Sequence, residues 1–247
     1  MVTATSMQFS SRNLQFASRV PAFSPPILRR PMSKRSLPNR LWYQFLRSLI
    51  YMTGVLAYGV RYRGRENIPK TGPVLVVSNH QSHFDPPLIG AGCLRRMNYL
   101  ARETLFGVKL LGWLIRTVDA IPIDRDGLGL NGIKESLRRL KRGEMVLIFP
   151  EGTRTRDGEV APFRPGFTVL AARSKAWILP VAIEGAFDAW PRSQKLPGLG
   201  TIHVSYGRPI SPEEVQGHDE RELLCEVERR VRQCHADLRE HPAFAGK

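Results

Sequence analysis

The sequence predicts an α/β fold: a single domain with a mixed, largely parallel sheet flanked by helices, preceded by an N-terminal amphipathic, hydrophobic helical segment that anchors to a membrane. Three observations carry this expectation. From residue 73 onward, short continuous apolar runs alternate with segments of helical apolar spacing, as expected for strands covered on both faces. Before that point residues 41–60, LWYQFLRSLIYMTGVLAYGV, are largely apolar and are followed by RYRGR. The chain has 247 residues, 42% of them hydrophobic, enough for one sizeable core. The expected division is a basic tail over 1–38, an interfacial helix over 39–62 and the α/β domain over 63–247.

The elements follow in order. Residues 1–31 are rich in Ser, Pro and Arg and contain no acid. Their composition suits an organellar transit peptide and lacks the long apolar stretch of a secretory signal. A translation start at Met32 accounts for the same segment, and both readings expect a disordered tail. Within 41–60 the uncharged part, 48–60, is too short to span a hydrocarbon core of about 30 Å, which takes roughly 20 helical residues. Trp42, Tyr43, Tyr51 and Tyr58 between basic flanks are an interfacial composition, preferred here over an ordinary core helix. PVLVVS (73–78) reads as a strand, PPLIGAGCL (86–94) as a short helix opened by proline, and NYLA (98–101) as a strand. LFGVKLLGWLIRTV (105–118) has helical spacing; core packing is the expectation, with a lipid-facing wall as the alternative. AIPI (120–123) is a strand, LNGIKESLRRLKRG (130–143) a helix and EMVLIF (144–149) a strand. PGFTVLAARSK (165–175) is a helix, WILPVAIE (177–184) and TIHVSYG (201–207) are strands, and 219–241 is a long helix. That helix carries Leu223, Leu224, Val227, Val231, Cys234 and Leu238 on one side. Residues 124–132 and 185–200 read as Gly- and Pro-rich connections.

The formal charge of +15 is unevenly spread. No acid precedes Glu66, whereas residues 1–65 hold eleven Lys or Arg; the rest of the chain holds 26 basic and 22 acidic residues. Anionic lipid, a phosphorylated substrate or nucleic acid each fit such a balance. Without a zinc finger, RNP pattern or heptad zipper, nucleic acid is not an expected partner. Cys93, Cys225 and Cys234 form no CxxC pair, which argues against a disulfide scaffold or thiolate zinc site and suits a reducing compartment.

Residues 78–87, SNHQSHFDPP, hold His80, His83 and Asp85 in one turn after a strand, where α/β folds place ligand sites. A metal site is disfavoured: the spacing is not HExxH, and the other histidines (203, 218, 235 and 241) form no second ligand cluster. Asp85, just before Pro86 and Pro87, suits a helix N-cap. The same carboxylate can reach back to one nitrogen of His80 and leave the other as a proton acceptor, a dyad that activates a hydroxyl. No GxSxG elbow points to Ser82 as a nucleophile, so the hydroxyl is expected on the substrate. GLGLNG (127–132) matches GxGxxG literally, with Glu151 at a fitting distance for a dinucleotide site. That reading is disfavoured, because DRD intervenes between strand and glycine and the histidine motif is left idle.

NHQSHFD (79–85) resembles the NHxxxxD motif of the glycerolipid acyltransferases, the 1-acylglycerol-3-phosphate (lysophosphatidate) acyltransferase group. AIPIDR (120–125), FPEGTRT (149–155), FRPG (163–166) and LPVAIEG (179–185) resemble the family's later blocks in order, over about residues 60–210. The resemblance implies acyl transfer from acyl-CoA or acyl-carrier protein to the sn-2 hydroxyl of lysophosphatidate, giving phosphatidic acid. It implies no metal and no cofactor beyond that co-substrate. In this reading His80 is the base and Asp85 its orienting partner, and Asn79 and Pro180 are structural parts of the motifs. Arg125, Arg154 and Arg164 are phosphate-binding cations, and Glu151, Gly152 and Thr153 complete the acceptor site. Glu151 is expected to order Arg154 or accept from a glycerol hydroxyl, and His83 to be structural or substrate-adjacent. Membrane lipids are the expected partners, with the enzyme peripheral or monotopic and its catalytic domain facing the cytoplasm.

Overall fold

The computed structural model describes residues 36–118, 120–123 and 130–240. The readings of residues 1–31, Arg125 and the first three residues of GLGLNG lie outside these. The chain opens with α1 (Leu37–Tyr58), ended by Gly59 in the left-handed region, and then β1 (Arg61–Arg63) and a 3-10 turn over Arg65–Asn67. There follow β2 (Val74–Ser78), α2 (Asp85–Gly92), β3 (Met97–Arg102), α3 (Glu103–Phe106), α4 (Lys109–Thr117) and β4 (Ile121–Ile123). The second half is α5 (Leu130–Lys141), β5 (Met145–Ile148), α6 (Phe167–Ser174), β6 (Trp177–Glu184), α7 (Ala186–Ala189), β7 (His203–Tyr206), α8 (Pro212–Gly217) and α9 (Glu220–Arg239).

The seven strands form one mixed sheet in the order β1-β7-β6-β2-β5-β3-β4. The five strands from β6 to β4 are mutually parallel; β7 runs antiparallel to β6 and carries β1 parallel to itself at the edge. Alternation along each strand divides the core between two faces. Val74 and Val76 of β2, with Met145, Leu147, Leu179 and Val181, meet Leu88 and Ile89 of α2 and partly buried Ile50 and Tyr58 of α1. Leu75 and Val77, with Val146, Ile148 and Ile178, meet Leu140 of α5, Phe167 and Leu170 of α6, and Leu223, Val227 and Val231 of α9.

This division positions the site. β2 is followed by α2 on one face, while its neighbour β5 is followed by α6 on the other. Two adjacent parallel strands whose connections leave to opposite faces open a crevice at their carboxyl ends, the switch point of a doubly wound sheet. Residues 79–84 leave β2 there, and residues 149–166 leave β5.

Proline in a central strand normally loses a ladder bond. Pro180 avoids this because it lies on β6 between the Ile178↔Ile210 bridge and the Val181↔Tyr206 pair. Its carbonyl accepts from Gly207 N–H at 2.8 Å, on the side where its own missing N–H would have pointed.

Four expectations need correction. The 105–118 segment is two helices, α3 and α4, separated at Gly107–Val108. Its apolar face is not core: Leu110 is 77% exposed and Trp113 52%, and Gly112 is the one buried residue of α4. The connection 185–200 contains α7. On α9 it is His235 that joins Leu223, Val227, Val231 and Leu238 in burial, whereas Leu224 and Cys234 are only partly covered. Finally, Asp85 is not the cap of α2: Phe84 holds that position in helical geometry with no side-chain cap bond, and the Asp85 carboxylate turns back to the preceding loop.

α1 covers the sheet with only part of its surface. Tyr43 and Gly54 are buried, and a side chain at Gly54 would place Cβ 2.9 Å from Leu88 Cδ2, so α1 and α2 pack closely there. Leu37, Leu41, Phe45, Leu49, Met52 and Leu56 recur every three or four residues and are all exposed. Trp42 stacks on Phe45 and meets Trp113 of α4 edge-on, both at 5.8 Å, so the exposed apolar surface runs on from α1 to α4. No helix among the described residues is long and apolar enough to cross a membrane.

Candidate active site

His80 follows β2 by two residues. Its Nδ1 lies 2.7 Å from Asp85 Oδ2, which also accepts from the backbone N–H groups of Gln81 at 2.6 Å and Ser82 at 2.7 Å. A carboxylate that gathers three donors has only acceptor capacity to offer, so the imidazole proton sits on Nδ1 and Nε2 is left as an acceptor. Asp85 is fully buried, and the proline pair behind it starts α2 and holds it under the turn. Its other oxygen, Oδ1, has no partner among the described residues.

The turns after β2 and β5 lock together around His80. Glu151 Oε1 accepts from His80 N–H at 2.8 Å, and Glu151 Oε2 accepts from Ala161 N–H at 3.3 Å. Thr155 N–H donates to the His80 carbonyl at 2.8 Å, and the Phe149 ring stacks on the imidazole with centroids 4.0 Å apart. The Glu151 carboxylate thus holds backbone, not Arg154. Burial pushes its pKa up to about 7, with the two backbone donors opposing that rise. Asn79 clamps the turn to β6: its amide donates to the Ile183 carbonyl and its oxygen accepts from Ile183 N–H, both at 2.9 Å.

Gly152 has φ +73°, and a side chain there would bring Cβ to 3.1 Å from the Arg164 guanidinium. The residue type is therefore set by backbone and space together. Arg164 and Thr153 are exposed at this turn, and Thr153 Oγ1 accepts from Arg192 at 3.4 Å. Arg154 is half-buried, and its Nη1 is buried with no partner among the described residues. Burial, then the charges of Arg192 and Arg102, lower its pKa, while Asp85 opposes them. His83 reaches solvent on one side and packs on the other, its ring 5.1 Å from that of Trp190; the desolvation of the packed side, then the neighbouring Arg154, lower its pKa. Arg102, at the carboxyl end of β3, and Arg192, after α7, therefore join the cation cluster although their sequence context gives no sign of it.

A second network stands behind the turn. Gln81 Nε2 donates to the Gly158 carbonyl and to Glu184 Oε2, both at 3.0 Å, and its oxygen accepts from Phe187 N–H at 3.2 Å. Glu184 Oε2 is also paired with His235 Nε2 at 2.5 Å, and Glu184 Oε1 with Arg239 at 3.4 Å. Burial pushes the Glu184 carboxyl up, but bonds from His235 and Gln81 and the nearby positive charges hold it below its usual range. The sequence signal for this network was the position of His235, four residues after Val231 on the apolar stripe of α9. Among the described residues no group of three or more His, Cys, Asp or Glu is placed to hold a metal ion.

The arrangement offers an oriented imidazole acceptor and a half-buried guanidinium on the two turns that leave the carboxyl ends of β2 and β5. Comparison with known proteins identifies the family. Residues 59–184, just over half of the chain, match the family described as Acyltransferase. The chain is 30% identical over 169 residues to the 1-acyl-sn-glycerol-3-phosphate acyltransferase of Bacillus subtilis, covering 68% of this chain and 82% of that one. It is 35% identical over 187 residues to the enzyme of the same name from Pseudomonas aeruginosa, covering 72% and 71%. The fold is similar to the crystal structure of the 1-acyl-sn-glycerophosphate acyltransferase PlsC from Thermotoga maritima, with TM-score 0.73, 27% identity and 82% of each chain covered. Sequence blocks, sheet topology and these relatives together place the chain in the acyltransferase family, among enzymes of the 1-acylglycerol-3-phosphate O-acyltransferase type.

Proposed function

We propose that the protein transfers a fatty acyl group from the thioester of acyl-CoA or acyl-carrier protein to the sn-2 hydroxyl of 1-acylglycerol 3-phosphate, giving phosphatidic acid. The observation that carries this reading is the buried Asp85 carboxylate bonded to His80 Nδ1 at 2.7 Å, together with the unpartnered Nη1 of Arg154, the residue before Thr155, whose N–H holds the His80 carbonyl. His80 Nε2 takes the proton of the hydroxyl as its oxygen attacks the thioester carbonyl. Asp85 stabilises the imidazolium, and collapse of the tetrahedral oxyanion expels the thiolate, which regains the proton from His80. The reaction as written needs no metal and no acyl-enzyme. Arg154 binds the acceptor phosphate, because a buried guanidinium donor without an acceptor is costly and phosphate supplies one. Arg164 flanks that phosphate, and Arg125 acts with them. Glu151 serves by fixing the backbone of His80, and Gly152 and Thr153 shape the turn that presents Arg154.

The exposed stripe of α1 and its continuation on α4 support seating on one membrane leaflet, where a lipid acceptor is delivered. The test is thiol release from acyl-CoA, and separately from acyl-carrier protein, with lysophosphatidate, glycerol 3-phosphate, a lyso-ornithine lipid and a phosphate-free lysolipid offered in turn. Lysophosphatidate is expected to be the best acceptor; a higher kcat/KM for any other reassigns the substrate.

A further inference from the structure

The chain also carries two guanidinium groups remote from His80. α1 runs antiparallel to α2: Tyr58 meets Phe84, Gly54 meets Leu88, and Arg47 Nη1 donates to the Ala91 carbonyl at 3.1 Å. α2 starts beside His80 and extends eight residues, roughly 12 Å, toward the opposite end of the sheet. Near that far end lies a cavity of about 250 Å³ lined by Arg47, Ser48, Tyr51, Met52, Arg65 and Leu94. Tyr51 stacks on Tyr62 at 5.4 Å, and the Arg65 guanidinium lies 6.0 Å from the Tyr62 ring centroid, so the wall is braced by aromatic contacts. Both arginines line this one cavity. Neither has a carboxylate partner among the described residues, and no acid precedes Glu66 in the sequence. Met52 and Leu94, which line the cavity, have exposed side chains, and Leu49 belongs with Met52 to the exposed stripe of α1.

We propose that the Arg47–Arg65 cavity holds the phosphate of an anionic membrane phospholipid, whose acyl chains lie against Leu49, Met52 and Leu94. Arg47 donates from Nε to Gln44 Oε1 at 2.9 Å and from Nη1 to the Ala91 carbonyl, which fixes its guanidinium in the wall and leaves Nη2 for a ligand. Two guanidiniums lining one cavity without a carboxylate suit a phosphate, and the apolar rim distinguishes a lipid headgroup from free phosphate. The inference rests on the membrane seating proposed above and adds a specific lipid to it. It separates the acceptor lipid, bound at the crevice, from a seating lipid bound at the other end of α2.

The test uses the full chain carrying Arg154→Ala, which weakens phosphate binding in the crevice, and the change on altering the cavity reads the cavity's own contribution. Binding of monomeric dihexanoyl phosphatidylglycerol and of inorganic phosphate is measured by calorimetry. Saturable lipid binding is expected to weaken about tenfold or more with Arg47→Gln plus Arg65→Gln. The charge-matched control, Arg61→Gln plus Arg63→Gln, replaces exposed arginines outside the cavity and should leave it unchanged. Equal loss in the control, no loss in the cavity variant, or no saturable lipid binding overturns the site. Inorganic phosphate binding as tightly as the lipid overturns the lipid assignment. Co-sedimentation with phosphatidylcholine vesicles reports seating separately: if monomeric lipid binds but vesicles do not, the seating fails and the site stands. With Arg154 intact, the cavity variant is expected to acylate a short-chain monomeric acceptor at the unaltered rate, which verifies its fold.

Discussion

Replacing Asp85 by Asn tests the dyad most finely. Asp85 Oδ2 receives three donors at 2.6–2.7 Å, one from the imidazole and two from backbone. The backbone bonds are the same in ground and transition states, so weakening them appears as lost stability, about 1–3 kcal/mol. The imidazole bond differs, because His80 becomes cationic only as the hydroxyl is deprotonated. A bond to a charged partner is worth about 1.5–3 kcal/mol, which converts to a loss of about 10- to 150-fold in kcat/KM. That loss cannot exceed the loss on removing the base, about 10²- to 10⁴-fold. The assay is kcat/KM for thiol release with Asp85→Asn in the wild-type and His80→Ala backgrounds, alongside urea midpoints. Asp85→Asn should leave the residual rate of His80→Ala within about twofold. An equal further loss in that background would show that the carboxylate acts independently of the imidazole and would refute the dyad.

Arg154→Ala should raise KM for phosphorylated acceptors by about 10- to 100-fold with little change on a phosphate-free acceptor; equal losses on both would remove its phosphate role. Glu151→Gln tests the raised carboxyl. With a folded pKa of about 7 against an ordinary 4.5, Glu151 contributes stability below about pH 4.5 that is lost as pH rises through 7. The variant should therefore flatten the wild-type decline in urea stability between pH 5 and 8, by up to about 3 kcal/mol; an unchanged slope contradicts the assignment. Glu184 has the opposite sign, since its folded pKa is lowered: its stabilisation is present above the unfolded pKa and lost as pH falls through the folded value. Glu184→Gln should cost about 1–3 kcal/mol at neutral pH, reduce acid sensitivity and lower kcat severalfold without changing KM, because Gln81 loosens beside His80. A change confined to KM would contradict that positioning role.

What the sequence disclosed follows from how locally each feature is determined. His80 and Asp85 are five residues apart in one turn, so their pairing was visible before any fold was known. The continuous apolar runs of β2, β5 and β6 identified buried parallel strands because both faces of each are covered. The clamp between Asn79 and Ile183 spans 104 residues and the contact of His80 with Glu151 spans 71, so neither geometry could be read from spacing. Asp85 was mistaken for a helix cap because a carboxylate before two prolines suits both roles; the backbone donors of Gln81 and Ser82 took it instead. The apolar spacing of α4 gave helix correctly and burial wrongly, since periodicity identifies an apolar face but not what covers it. The Ser211–Glu214 capping box of α8 is legible in the sequence as Ser-Pro-Glu-Glu, whereas β1, three residues long with two arginines, has no strand signal at all.

The central claim is that the His80 imidazole removes the proton of the acceptor hydroxyl. It is tested most directly by phosphatidic acid formation from acyl-CoA and lysophosphatidate by purified wild type and His80→Ala, compared at matched urea stability. The dyad predicts product from the wild type and a rate at least about 100-fold lower from the variant. A variant with the wild-type rate and an intact fold, or a wild type that yields no phosphatidic acid, would contradict it.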